Sequence, residues 1–463
     1  MRRHAESGRQ RTHERWVPNP WRALVSARQV GDHHWRPCPV LTTLALLWLP
    51  SCVLLSAQQA PIPTPDELPG QPFAIKKTWV IGGLGNWDYL TLDPIARQLF
   101  ITHQTRVQVV DIDSGTIAGE VTGFGEARAV ALDPNGQTGY VSDARANLIR
   151  VFDRRTFQVL GKIPVASSPR ALVFEAQTGM LFAFGALPTP ALPPRQSRPP
   201  TREELDPCSV YAGGSPPPPA YHSLISVIDP GKRTHVADIQ VCGILGAAQA
   251  DGTGNVYFTI ANFNEVGRLN GQAIVDLAQH PRSRDLRAVD GSAADGSLLL
   301  SFNRFPTEGW GPQFSVFRLG QECQDPRAVA VDAAHARLFA ACTNMKLNVL
   351  ATDTGASVAA LTIGPGVDAM GFDPNRGLIF TANGGGYGSV TIVRQHLTDS
   401  YAVIQNLPTM QQARTMAIDP STGLAYLVTT LYGAKLDHPP VNGIGTLKLS
   451  PVDGSFQVLV IGN

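Results

Sequence analysis

One pattern recurs along this chain and limits what it can fold into. TLDPIARQLFIT (91–102), ALDPNGQTGYVS (131–142), GFDPNRGLIFTAN (371–383) and AIDPSTGLAYLVT (417–429) share one layout. Each runs from an apolar stretch through Asp-Pro and a polar turn into an aromatic or β-branched stretch. Asp-Pro followed by Asn or Gly favours a tight turn. The flanks are strand-like, so each unit reads as a β-hairpin. Degenerate copies fall at Glu175, Asp251, Asp290 and Asp332, which gives eight anchors from Asp93 to Asp419. Six of the seven intervals are 39 to 46 residues, and the seventh contains the Pro-rich insert 188–222.

Each unit continues into a third strand, such as VQVVD (107–111), LIRVFD (148–153), LISVID (224–229) and SVTIV (389–393). A fourth usually follows, such as FQVLGKI (157–163) or SVAALTI (357–363). Four strands in a period of about 40 residues make one propeller blade. The fold class is therefore all-β: a β-propeller of four-stranded blades, with eight repeats counted. The fifth unit is incomplete, because FSVFRLG (314–320) runs almost directly into the sixth, so seven blades is the alternative. A lone strand, AIKKTWVI, precedes the first unit and is placed to close the ring, which removes exposed sheet edges.

The region 75–463 is the propeller, and what precedes it reads differently. An apolar run, Val40 to Ala57, follows Arg2, Arg3, Arg22, Arg28 and Arg36 and gives way to polar, Pro-rich sequence. That order reads 1–57 as a signal peptide with a long n-region, cleaved near Ala57, and 58–74 as a Pro-rich linker. A retained membrane anchor is the alternative, and the membrane would be met only through such an uncleaved leader. The expected location is the periplasm or the outside of the cell, and the expected state is a monomer. Net charge is +1, so no field is built to attract nucleic acid.

Four cysteines follow the leader: Cys208, Cys242, Cys323 and Cys342. Pairing is expected in an oxidising compartment. Cys323 leads into the first strand of a blade and Cys342 leaves its second, so they are expected to pair. Cys208 and Cys242 pair by elimination and would pin the insert to the next blade. None lies in a CxxC arrangement, no His-x-His occurs, and no metal site is expected.

The units resemble those of the YVTN-repeat (YncE-like) β-propeller family, within the quinoprotein-dehydrogenase-like propeller superfamily. The resemblance rests on GNWDYLTLDP (85–94), the strand ends FITH (100–103) and YVSD (140–143), DAAHARLFAAC (332–342), GVDAMGFDP (366–374) and ARTMAIDP (413–420). It implies that first strands line a central channel. It also implies that the loops leading into them share one face, the top, with the loops between second and third strands. Function does not follow from such a fold.

Register adds a candidate site. The residues five before the anchors are Asp88, Arg128, Arg170, Gly246, Asp285, Arg327, Asp368 and Arg414. Seven of these are charged, and repetition would set them in a ring around the top of the channel. One and three before the anchor the residues are mostly large and apolar; two and four before, mostly small. The ring has two readings: blade-to-blade ion pairs, or an anion site in which arginine forks take a carboxylate or phosphate. Arg128 and Arg170, with no Asp between them, are expected to be the pair open to a ligand. Residues closing the second strands, including His103, Asp143, Asn262, Asn344 and Asn383, read as holding local backbone groups. Trp87 and Trp310 read as packing.

The chain therefore reads as a non-catalytic scaffold whose top face takes a small anionic ligand or a protein partner, with no cofactor. The superfamily's quinone enzymes imply vicinal cysteines and a tryptophan-docking repeat, neither of which occurs. A lactonase-like hydrolase, with His103 beside the arginines, is the alternative.

Overall fold

The computed structural model describes residues 72–187, 208, 221–279, 298–301, 314–397, 399–436 and 447–463. The leader and most of the insert lie outside them. Among the described residues no helix is long and apolar enough to cross a membrane.

The ring has seven blades, the alternative count. Blade 1 runs Trp87–Asp93, Gln98–His103, Arg106–Asp111, Thr116–Thr122. Blade 2 runs Ala127–Leu132, Thr138–Asp143, Leu148–Asp153, Val159–Pro164. Blade 3 runs Ser168–Glu175, Met180–Ala186, His222–Asp229, Thr234–Cys242. Blades 5 and 6 repeat the up-and-down order from Pro326 to Thr362 and from Val367 to Pro408.

Blade 4 explains the miscount. Its first three strands are Leu245–Ala250, Asn255–Ile260 and Glu265–Asn270, and its fourth is Phe314–Arg318. Residues 271–313, counted from sequence as a separate unit, are an insertion between the third and fourth strands. The helix Gly271–Gln279 begins it, and Leu298–Ser301 pairs in parallel with Thr234–Cys242 on the outer edge of blade 3. Asp290 lies outside the described residues, and the seven blades are built without it.

Blade 7 is assembled from both ends of the propeller region. Thr415–Asp419, Leu424–Thr429 and Gln457–Gly462 are its inner strands, and Ala74–Val80 is its outermost, antiparallel to Gln457–Gly462. The lone strand of the sequence reading thus closes the ring. A hairpin, Tyr432–Leu436 with Leu447–Pro451, projects between its second and third strands.

The anchors form the turns that the repeat implied. Asp93 accepts from the amides of Ile95 and Ala96 at 3.1 and 3.0 Å, and Glu175 from Gln177 and Thr178 at 3.0 and 2.7 Å. The core lies between blades. Large residues on one first strand meet small ones on its neighbour: Leu172 of blade 3 packs with Ala129 and Ala131 of blade 2. Such interleaving fills each wedge with few voids. Cys208–Cys242 and Cys323–Cys342 form disulfides, with Cα separations of 5.1 and 5.3 Å. Disulfides are consistent with an oxidising, extracytoplasmic compartment.

Candidate functional site: the charged mouth of the channel

The first strands carry a β-bulge where the charged residues stand. In blade 3 Pro169 faces Gly185 and Ala171 faces Phe184, so Arg170 is the extra residue. Arg327 and Asp368 are extra in the same way in blades 5 and 6, and the pair Asp88–Tyr89 faces a single residue in blade 1. A bulge re-aims a side chain that strict alternation would send into the sheet packing. The exposed backbone is partly tied down by the second strand: Thr102 Oγ1 donates to the Tyr89 carbonyl at 3.1 Å, and the Ala129 amide to Ser142 Oγ at 2.9 Å.

The mouth has one face in common with the loops leading into the first strands. Asp143, at the end of a second strand, accepts from the amides of Gly125 and Glu126 at 3.0 Å each. Asn262 likewise accepts from Ile244 at 2.7 Å, and Asn344 from Gln324 at 3.0 Å. These residues staple the approach loops.

Pairing divides the ring. Arg128 donates to Asp88 at 2.8 Å and to Glu126 at 2.5 Å. Arg414 meets Asp368 at 3.3 Å, without hydrogen-bond alignment, and donates to Gln412 at 3.2 Å. Arg327 pairs with Asp325 at 2.8 Å, and both remain well exposed. Burial holds the Asp88 and Asp368 carboxyls above their ordinary range, against the pull of Arg128 on the first and of Arg414 and Arg327 on the second. Arg170 is exposed and makes no ion pair among the described residues. Its neighbour in blade 4 is Gly246, so the ring carries no side chain beside it.

Two expectations change, and a third falls outside the described residues. Arg128 is not open to a ligand, because Glu126 of its own approach loop joins Asp88 in holding it. Asp285 lies outside the described residues, and the seven innermost strands all come from elsewhere in the chain. His103 is fully buried and stands apart from the mouth, between Gln108 Oε1 at 2.7 Å and the Gly85 carbonyl at 3.1 Å, with its ring 4.3 Å from Phe456. Trp87 is buried against Phe456, as packing requires, and Trp310 lies outside the described residues.

Tyr89 was missed by the register reading. It holds a position where the other blades carry Ala or Thr. It packs against the clusters of blades 2–3 and of blades 4–5, so it reaches across the channel just beneath the charged mouth. Burial pushes its hydroxyl above its ordinary value, as do Asp88 and Asp368. Among the described residues no three His, Cys, Asp or Glu side chains gather as a metal site.

No family model and no curated protein matches the chain. Solved structures do. A structure of U3-55K matches with TM-score 0.52 and 10% identity, over 82% of this chain and 97% of that one. The crystal structure of the RRP9 WD40 repeats matches with TM-score 0.53 and 10% identity, over 83% and 96%. A chain of the mitotic checkpoint complex matches with TM-score 0.53 and 11% identity, over 82% and 96%. At such identities the likeness is one of fold, and the chain is a seven-bladed β-propeller whose structural neighbours include WD40-repeat propellers.

Proposed function

We propose that this protein is an exported, non-catalytic scaffold, of the YVTN-repeat kind that its units resemble, which binds a protein partner through its top face and seats an acidic group of that partner at Arg170. The observation that carries the reading is the contrast within one register. Arg128 and Arg414 are engaged with aspartates, while Arg170 is exposed and unpaired beside the gap at Gly246. The exposed Arg327, paired with Asp325, stands on the other side of that gap. An arginine fork without an internal partner favours a carboxylate.

Apolar side chains on the same face support a protein partner. Tyr387 is 94% exposed in the GGGYG loop, and Leu84, Met345 and Leu431 are exposed in neighbouring loops. Loops at one end of a rigid scaffold are where binding usually sits, and apolar anchors around a charged centre suit a protein interface. The hydrolase reading is not carried forward, because His103 is enclosed and both its ring nitrogens are occupied.

The test uses the full chain and a library of short peptides with acidic and neutral sequences, with succinate as a free small dianion. Acidic peptides are expected to bind the wild type, to bind less as salt rises, and to lose binding on Arg170→Glu. Succinate binding with no preference for peptides would favour the small-anion ligand instead. Peptide binding that is indifferent to Arg170→Glu would overturn the site.

A further inference from the structure

Below the charged mouth the first strands obey a packing rule, and blade 4 breaks it. One and three residues before the anchor the other blades carry bulky side chains directed at the preceding blade. Leu90 packs with the cluster of blade 7, Val130 with that of blade 1, and Met416 with that of blade 6. Blade 4 has Ala248 and Ala250 at these positions, packed against the cluster it shares with blade 3. The wedge between blades 3 and 4 is therefore underfilled where it meets the channel.

There the lower end of the channel holds a cavity of about 430 Å³, lined from blades 1 to 4. Ala248, Gln249 and Ala250 are blade 4's share of the lining, and blades 1 to 3 add Leu92, Leu132 and Phe174 among others. Its volume is within the range of small-molecule sites. It opens on the face opposite the charged mouth, beside Ile95, which is 85% exposed. By register Tyr89 lies between it and the mouth, so the two ends of the channel are separate sites.

The lining also states what chemistry would suit it. Arg154 is the cation at its edge, and its charge is met by Asp93; it also donates to the carbonyls of Asp133 and Gly136 at 2.7 and 2.8 Å. No uncompensated positive charge is left for an anion, and Asp133, the other carboxylate of the lining, accepts from the Asn135 amide at 2.9 Å. Gln249 offers an amide that makes no hydrogen bond among the described residues. An amide can donate and accept at once, and an apolar wall with few polar groups orients a ligand through those groups.

We infer that the lower half of the channel is a binding pocket for a small, neutral, largely apolar molecule bearing one amide or carbonyl group. Ala248 and Ala250 make room for its body and Gln249 pairs with its polar end. This site is independent of the top-face reading.

The experiment follows benzamide and toluene binding to the full chain by ligand-detected NMR and calorimetry. Wild type is expected to bind both. Ala250→Phe, which installs the residue that blades 3 and 6 carry in this register, is expected to abolish both while melting no lower than wild type. Gln249→Val, the residue of blade 3, is expected to keep toluene binding and to weaken benzamide about tenfold, the value of one hydrogen bond. If Ala250→Phe does not fold, Ala248→Val occupies the same space with less bulk and is expected to weaken toluene binding. No binding of either probe to wild type, or binding indifferent to the filling variants, overturns the pocket. Equal losses of toluene and benzamide on Gln249→Val overturn the role of the amide.

Discussion

Arg97, in the first turn of blade 1, donates to the buried carboxylate of Asp419 in blade 7 at 2.8 Å. Asp419 is also the anchor of its own turn, accepting from the Ser421 amide at 3.0 Å and from its hydroxyl at 2.5 Å. One carboxylate therefore shapes a hairpin and joins the first blade to the last. The same double use recurs where Arg154 of blade 2 reaches Asp93 of blade 1, and where the Gly254 amide of blade 4 donates to Glu175 of blade 3 at 3.2 Å.

Asp419→Asn should therefore destabilise the ring more than one turn would suggest. Breaking an exposed pair costs about 0–1 kcal/mol and breaking a buried one roughly 3–5 kcal/mol; with Asp419 buried and Arg97 partly exposed, an intermediate loss is expected. Burial pushes the Asp419 carboxyl up, but the Ser421 hydroxyl and Arg97 together hold it below the ordinary carboxylate range. A carboxyl lowered in the folded state stabilises above its unfolded pKa, about 3.9, and that stabilisation is lost as pH falls through the folded value. Urea denaturation across pH should show the wild-type advantage at pH 7 and its disappearance in strong acid.

At the mouth of the channel the prediction is a split between two arginines of the same register. Arg128→Ala leaves the half-buried Asp88 without its ion pair and should lower stability by about 1–3 kcal/mol. Arg170→Ala removes no ion pair and should stay within about 0.5 kcal/mol of wild type. Thermal melts of the two variants in the same buffer check this. Equal losses would mean that Arg170 has a structural partner after all.

The bridges make a third prediction. The disulfides Cys208–Cys242 and Cys323–Cys342 close segments with sequence separations of 34 and 19 residues. On the chain-entropy account each restricts the unfolded state by about 3–4 kcal/mol. Cys323→Ala with Cys342→Ala, and Cys208→Ala with Cys242→Ala, should each cost an amount of that order in equilibrium unfolding. Non-reducing peptide mapping should recover the two cross-linked peptides and no free thiol among the four.

Hairpins and ring closure were legible in sequence because they depend on local chemistry, Asp-Pro turns and alternating strands that recur within about 40 residues. The blade number was not. Around Asp290 an acidic residue, a Gly-rich stretch and the run Leu298–Leu300 imitate a repeat unit, while the run itself joins the edge of blade 3, a contact that no local pattern encodes. The charged register was visible for the same reason as the hairpins. Two of its blade-to-blade pairs, Asp88 with Arg128 and Asp368 with Arg414, follow that register; the partners Glu126 and Asp325 were not legible, because they sit in approach loops that do not repeat. His103 looked like a mouth residue by position. Its burial depends on Gly85 in a loop before the first blade and on Phe456 near the other end of the chain.

That enclosure gives the fourth prediction. Burial lowers the His103 pKa, and Arg106, whose Nη2 lies 3.4 Å from Nδ1, lowers it further against the hydrogen bonds to Gln108 and Gly85. The unfolded chain, with a histidine pKa of about 6.5, therefore takes up the proton first as pH falls. Stability is present above that value and is lost as pH falls through it toward the folded pKa, at no more than about 1.4 kcal/mol per pH unit for a single proton. His103→Asn places the residue that Asn383 supplies at the same register in blade 6, and it cannot titrate there. Stability measured by urea denaturation from pH 7.5 to 5 should fall less steeply in His103→Asn than in wild type. The difference between the two curves is the quantity to read. Parallel curves would show that His103 takes its proton as readily folded as unfolded, and that its burial carries no electrostatic cost.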